Sequence, residues 1–294
     1  MEKLLQWAVN NSDQNSLSEQ AAAIRRGEAQ PDPAKYDPKI LEAILGKDDA
    51  TRMKESVECI NNPEDTVDNK VIALDNLEML IEGIDNARNI ENMKLWPGII
   101  KQLSAAEPEV RKGTAWVCGT AVQNNPEAQK AFLDNEGLAP LVQLLKDQDS
   151  SVRSKAIYAI SCFLKHNPVG VQSFDQLEGL SVLQTLLKQS DDTTALRKIV
   201  FLYNSLIFEN ESVLKRAVEN DTMRDLDAIL VKYTTKESED EDMVEKTLRT
   251  LHTLITKGGL SVPDELKQHI KAACTQFGLE NLALVESEYQ ELIK

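Results

Sequence analysis

Residues 109–128 read EVRKGTAWVCGTAVQNNPEA, and residues 151–170 read SVRSKAIYAISCFLKHNPVG. Val-Arg recurs at 110–111 and 152–153, and Asn-Pro recurs at 125–126 and 167–168, both times 42 residues apart. A chain that repeats itself at this period does not close around one central core. Each copy carries an apolar face that it cannot bury alone, so copies must stack on one another.

The columns of the repeat identify the secondary structure. In one copy Val110, Thr114, Cys118, Ala121 and Val122 fall at i, i+4, i+8, i+11 and i+12, which is one face of an α-helix. The same register gives Val152, Ala156, Ile160, Phe163 and Leu164, then Ala195, Ile199, Tyr203, Leu206 and Ile207. It gives Asn69, Ala73, Leu77, Leu80 and Ile81 upstream, and Met243, Thr247, Leu251, Leu254 and Ile255 downstream. Shorter apolar segments precede four of these helices: IIKQL at 99–103, LVQLL at 141–145, VLQTLL at 182–187 and LDAIL at 226–230. Gly137 and Gly179 stand just before two of them, where a sharp backbone bend is expected. Three helical pieces in about 42 residues is the armadillo or HEAT period. The expected fold is all-α: an armadillo-like right-handed superhelical solenoid of about four to five repeats with helical caps, over residues 36–294. The caps are two short helices at 38–46 and 51–61, and two amphipathic helices at 263–278 and 279–294. The charge run KESEDED (236–242) is expected to be a solvated loop.

Composition narrows the function. The net charge of −15 argues against nucleic acid as a partner. No apolar run reaches the length of a membrane span, and MEKLLQWAVNNS is not expected to be a secretory signal. Cys59, Cys118, Cys162 and Cys274 are scattered, without metal-ligand or disulfide spacing. A reduced, cytoplasmic protein is expected. His166, His252 and His269 form no ligand motif, and no phosphate loop or nucleophile elbow appears. The expectation is a non-enzyme with no cofactor and no metal.

A solenoid acts through its inner groove. Positions two, six and ten residues beyond the first apolar position of each long helix share a face beside the core seam. They read Val71, Asp75, Met79; Lys112, Trp116, Thr120; Ser154, Tyr158, Cys162; Arg197, Phe201, Ser205; and Glu245, Arg249, Thr253. Trp116, Tyr158 and Phe201 either line one side of a groove or pack between neighbouring helices. Importin-alpha-like carriers bind basic peptides with ladders of Trp and Asn. Here the column that should hold Asn reads Met79, Thr120, Cys162, Ser205 and Thr253, which disfavours a basic-peptide carrier.

The stretches MEKLLQWAVNNS, LDNLEMLIEGIDNARNIENMKLW (74–96), GTAVQNNPEAQ (119–129) and VRSKAIYAISC (152–162) resemble the armadillo-type nucleotide exchange factors of heat-shock protein 70. The likeness to the fungal members runs from residue 1 to about 210. It implies a cochaperone whose solenoid embraces one lobe of the chaperone's ATPase domain, opens the cleft, and promotes release of ADP and then of client. The implied partner is that nucleotide-binding domain, met by a monomer. Phe201, Tyr158 and Trp116 are candidates through the groove stripe, and the likeness places Arg197 in the contact, one turn from Phe201. It also points to a loop at 85–89, where Asn86 and the small Ala87 would let a partner approach. Arg197 is expected to be exposed. Residues 1–35 break the repeat and are expected to be a flexible segment, in which Leu4, Leu5 and Trp7 form an apolar patch that mimics a client. The alternative is a generic armadillo scaffold for another protein.

Overall fold

The structure is a computed structural model that describes residues 13–28 and 46–294. The patch at Leu4, Leu5 and Trp7 and the expected helix at 38–46, but for Gly46, lie outside the described residues. The chain divides into two compact units, 1–52 and 53–294. In the first, α1 (Gln14–Arg25) is a helix within the segment expected to lack structure. It ends where Gly27 turns to φ 73° and the Glu28 amide donates to the Ala23 carbonyl at 2.9 Å.

The second unit is a stack of helices. After the greater part of α2 (Asp49–Asn61), from Met53 on, and α3 (Val67–Ile81) come four three-helix repeats. They are α4 (Ile84–Asn92), α5 (Trp96–Lys101), α6 (Pro108–Val122); α7 (Pro126–Asp134), α8 (Leu138–Gln143), α9 (Ser150–Leu164). Then follow α10 (Pro168–Gln176), α11 (Gly179–Gln189), α12 (Thr193–Glu209); and α13 (Glu211–Glu219), α14 (Thr222–Thr234), α15 (Glu241–Gly258). Helices α16 (Asp264–Phe277) and α17 (Glu286–Leu292) close the stack. No strand occurs among the described residues.

The long helices α3, α6, α9, α12 and α15 pack side by side in chain order. Every position of the five apolar columns is buried except Asn69. The two threonines in these columns satisfy their hydroxyls on their own helix: Thr114 donates to the Val110 carbonyl and Thr247 to that of Met243, each at 2.7 Å. Helix starts follow from side-chain caps. Thr66, Asp149, Asp192 and Asp240 each accept from backbone amides at the head of a long helix, and Asn125 and Asn167 do so ahead of α7 and α10, where Pro126 and Pro168 need no amide partner.

The seam between repeats is built from rings. Trp96, Phe132 and Phe163 are wholly buried and meet edge to face, with centroids 5.3 and 5.6 Å apart. This packing corrects the reading of Gly137 and Gly179. The sharp bends are made by their predecessors Glu136 (φ 60°) and Glu178 (φ 58°), matched by Lys94 and Asp221 in the flanking repeats. The glycines themselves have ordinary backbone angles at helix starts. They are needed because a Cβ would lie 2.2 Å from Phe132 at Gly137 and 2.3 Å from Phe174 at Gly179.

Three further expectations are corrected. The charge run 236–242 is a solvated loop only in its first part, because Asp240 caps α15 and Glu241 and Asp242 begin that helix. The stretch 85–89 is not a loop but the first half of α4. Its Asp and Asn residues suggest a turn, yet Ala87 and Ile90 are spaced as a helical face and are buried. The final cap is not one helix from 279: Ala283 adopts φ 50°, turns occupy 279–283, and α17 begins only at Glu286.

Candidate functional site: the groove of the long helices

Two hollows open on the face formed by the long helices, and Tyr158 borders both. The first, about 500 Å3, is polar and bounded by Glu78, Glu82, Thr120, Gln123, Asn124, Asn125 and Tyr158. Glu78 is nearly buried, and its carboxylate accepts from the Thr120 hydroxyl at 2.7 Å. The second, about 350 Å3, is bounded by Ile157, Tyr158, Ser161, Phe201 and three cations: Arg197, Lys198 and Lys246. Carboxylates thus border the first hollow and cations the second, where Arg197 is paired with Asp240 and Asp242 and Lys246 with Asp242 and Glu245.

The aromatic stripe divides into different roles. Phe201 is 53% exposed and forms an open wall of the cationic hollow. Tyr158 is half-buried; its ring packs so closely on α6 that a Cβ at Gly119 would lie 2.6 Å away, and its burial raises the phenol pKa. Trp116 is half-buried beneath the Lys155 ammonium, which lies 3.4 Å from the ring centroid. So the aromatics do both things the sequence left open: Phe201 faces the groove, Tyr158 packs between helices while bordering it, and Trp116 carries a cation.

Arg197 is not the exposed residue expected. Its side chain is 30% exposed and is ion-paired with Asp240 and with Asp242, whose Oδ2 lies 2.7 Å from Nε. Asn86 is half-buried and donates to the Leu80 carbonyl at 2.9 Å, closing the end of α3. Ala87 is 2% exposed, at the floor of the polar hollow, so its methyl offers a partner almost no surface. Arg197, Phe201 and Tyr158 meet at one hollow; Trp116 stands beside it; Ala87 and Asn86 belong to the other end.

Sequence reasoning missed a column of lysines. Lys155, Lys198 and Lys246 lie three residues beyond the first apolar position of three successive long helices. The stripe at two, six and ten passed them by one residue; reading the third position would have found them. Lys198 donates to the Ser154 hydroxyl at 2.6 Å. Burial holds the pKa of Lys155 and of Lys198 below the usual lysine value, and the Lys198 charge lowers that of Lys155 further. Lys155 and Lys198 thus bear charges that a carboxylate brought into the groove would stabilise. Among the described residues no cluster of His, Cys, Asp and Glu has the geometry to hold a metal, and no helix is long and apolar enough to cross a membrane.

The fold is similar to that of solved repeat proteins. A designed armadillo repeat protein solved in complex with the peptide (KR)4 matches with TM-score 0.62 at 20% identity, covering 82% of this chain and 96% of that one. An engineered protein from a structural genomics programme matches with TM-score 0.61, covering 82% of this chain and 94% of its own. In sequence, residues 1–90 match the family described as nucleotide exchange factor Fes1, and residues 86–294 match the SIL1/FES1/HPBP1 C-terminal domain. The "Hsp70 nucleotide exchange factor fes1" of Schizosaccharomyces pombe is 35% identical over 99% of this chain and 95% of its own length. The corresponding proteins of Kluyveromyces lactis and Saccharomyces cerevisiae are 44% and 41% identical over 54% of the chain, and the match spans about half of their length. Matched along its whole length by these two models and by the fission-yeast protein, the chain belongs to the SIL1/FES1/HPBP1 family of nucleotide exchange factors.

Proposed function

We propose that the protein is a non-enzymatic cochaperone that binds the nucleotide-binding domain of heat-shock protein 70, holds its cleft open, and so promotes loss of ADP and release of client. The observation that carries this reading is the match to the fission-yeast exchange factor over almost the full length of both chains. The physics requires only differential affinity: the factor must bind the open chaperone more tightly than the closed, ADP-bound one. Each tenfold preference takes about 1.4 kcal/mol of extra contact. The groove supplies contacts of that kind in Phe201, Tyr158 and Arg197, with Trp116 behind them; Asn86 and Ala87 shape the opposite end from within. The factor acts as a monomer in the cytoplasm and needs no cofactor, nucleic acid or membrane.

The test is stopped-flow release of a fluorescent ADP analogue from heat-shock protein 70. The expected result is acceleration at micromolar factor. No acceleration leaves the alternative, an armadillo scaffold for a different protein.

Residues 1–35 form a client-release segment in this scheme. Leu4, Leu5 and Trp7, tethered to a docked solenoid, sit at high effective concentration near the chaperone's client site. Deleting residues 1–35 is expected to leave ADP release intact and to slow net release of a model client peptide. Equal client release by both proteins would reject the segment's role alone.

A further inference from the structure

The cationic hollow already holds a carboxylate from the chain itself. Asp240 caps α15, its Oδ1 accepting from the Met243 amide at 3.0 Å, and its other oxygen pairs with Arg197. That contact has counterparts between earlier repeats. Asp242 has none: two residues past the caps of α9 and α12 stand Ser151 and Thr194, which are uncharged. Yet Asp242 reaches both Arg197 and Lys246, two of the three cations that bound the hollow. Its side chain is 54% exposed while Arg197 and Lys246 are 30% and 26% exposed, so the pairs are open to water on the aspartate's side, where another carboxylate can exchange for it.

We infer that Asp242 is an internal stand-in for a carboxylate of the partner, and that the cationic end of the groove is built to take an acidic residue flanked by an apolar one. This rests on the reading of the groove as the chaperone contact. Four observations converge on it. The cations Lys155, Lys198, Arg197 and Lys246 gather on one face of a chain whose net charge is −15. Lys155 and Lys198 make no ion pair among the described residues, although burial disfavours their charge. The apolar wall is present as Phe201 and Ile157, the first half exposed. The chain's own carboxylate shows that the geometry accepts one. A partner carboxylate then displaces Asp242 from Arg197 and Lys246 while Asp240 keeps its place, so the helix cap survives the exchange.

Asp242→Asn removes the competitor and spares the cap. Full-length heat-shock protein 70 in its ADP form is titrated with the wild-type factor, with Asp242→Asn, and with Glu241→Gln as a control for net charge. Glu241 is exposed and outside the ion pairs. The expected result is that Asp242→Asn binds about three- to fivefold more tightly at low salt, the gain shrinking at high salt, while Glu241→Gln gains less. An affinity unchanged or weakened by Asp242→Asn overturns the inference, as does an equal gain from Glu241→Gln. Wild-type factor that binds no heat-shock protein 70 at all sinks the functional reading and this inference with it.

Discussion

On the long helices three arginines tie one repeat to the next, and the third is placed differently from the first two. Arg111 on α6 makes a bidentate pair with Asp147, at 2.7 and 3.0 Å, and its remaining nitrogen donates to the Ala105 and Ala106 carbonyls. Arg153 on α9 repeats this, pairing with Asp192 at 3.3 Å and donating to the Asp147 and Gln148 carbonyls. Both follow the first apolar residue of their helix directly. Arg197 on α12 comes one position later, with the buried Leu196 in the slot its counterparts occupy. One residue is about 100° around a helix. The guanidinium therefore swings off the seam onto the groove face, keeps the pair with Asp240, and makes no backbone contact among the described residues. The first two rungs hold loops together; the third keeps the cross-link and presents its charge to the groove.

The comparison breaks most easily at Arg111. Arg111→Ala leaves Asp147, 8% exposed, without its cation and frees two carbonyls. The expected loss of stability is about 3 kcal/mol, the scale for removing one partner of a buried pair. Denaturant unfolding measures it. A loss no larger than that of Arg197→Ala would make the three rungs equivalent.

Arg197→Glu is the converse. The pairs it breaks, with Asp240 and Asp242, are partly exposed, and the new carboxylate faces both aspartates, so stability should fall by about 1 to 2 kcal/mol, less than for Arg111→Ala. Binding to heat-shock protein 70 should weaken about thirtyfold, as for loss of an interface arginine. Equal ADP release by variant and wild type would return Arg197 to a purely structural rung.

The sequence carried the long helices almost without error because burial imposes a strict period: a slip of one residue would expose an entire face. It carried the stripe of Arg197, Phe201 and Tyr158 for the same reason. What it did not carry were contacts across repeats. Nothing local says that Gly137 is small for the sake of Phe132, or that Arg197 answers Asp240 in the next repeat. Turn-forming residues misled at 85–89, where Asp85 and Asn86 enter a helix that the buried Ala87 and Ile90 anchor. The lysine column stands one position around each helix from the stripe of Arg197, Phe201 and Tyr158.

The smallest effect concerns pH. Arg111 holds the Asp147 carboxyl below the ordinary carboxylate value of 3.8, chiefly by its hydrogen bond and helped by the Asp149 amide at 2.9 Å. A carboxyl whose pKa is lower in the folded chain than in the unfolded one adds stability above its unfolded value. That contribution disappears as pH falls through the folded value, because both states then bind the proton equally. Asp147→Asn keeps the size of the side chain and the acceptor for one arginine nitrogen but abolishes the titration. The variant should be less stable than wild type by about 1 to 2 kcal/mol at neutral pH. The gap should close as pH falls through 3.8, where Asp147 is half protonated in the unfolded chain, and on through its lower folded value. Parallel unfolding curves at neutral and acid pH decide the matter: a gap that stays constant would mean Asp147 works through shape and hydrogen bonding alone. The same pair of curves for Asp242→Asn should show almost no gap at either pH, because that carboxylate is more than half exposed and belongs to the groove, not to the ladder.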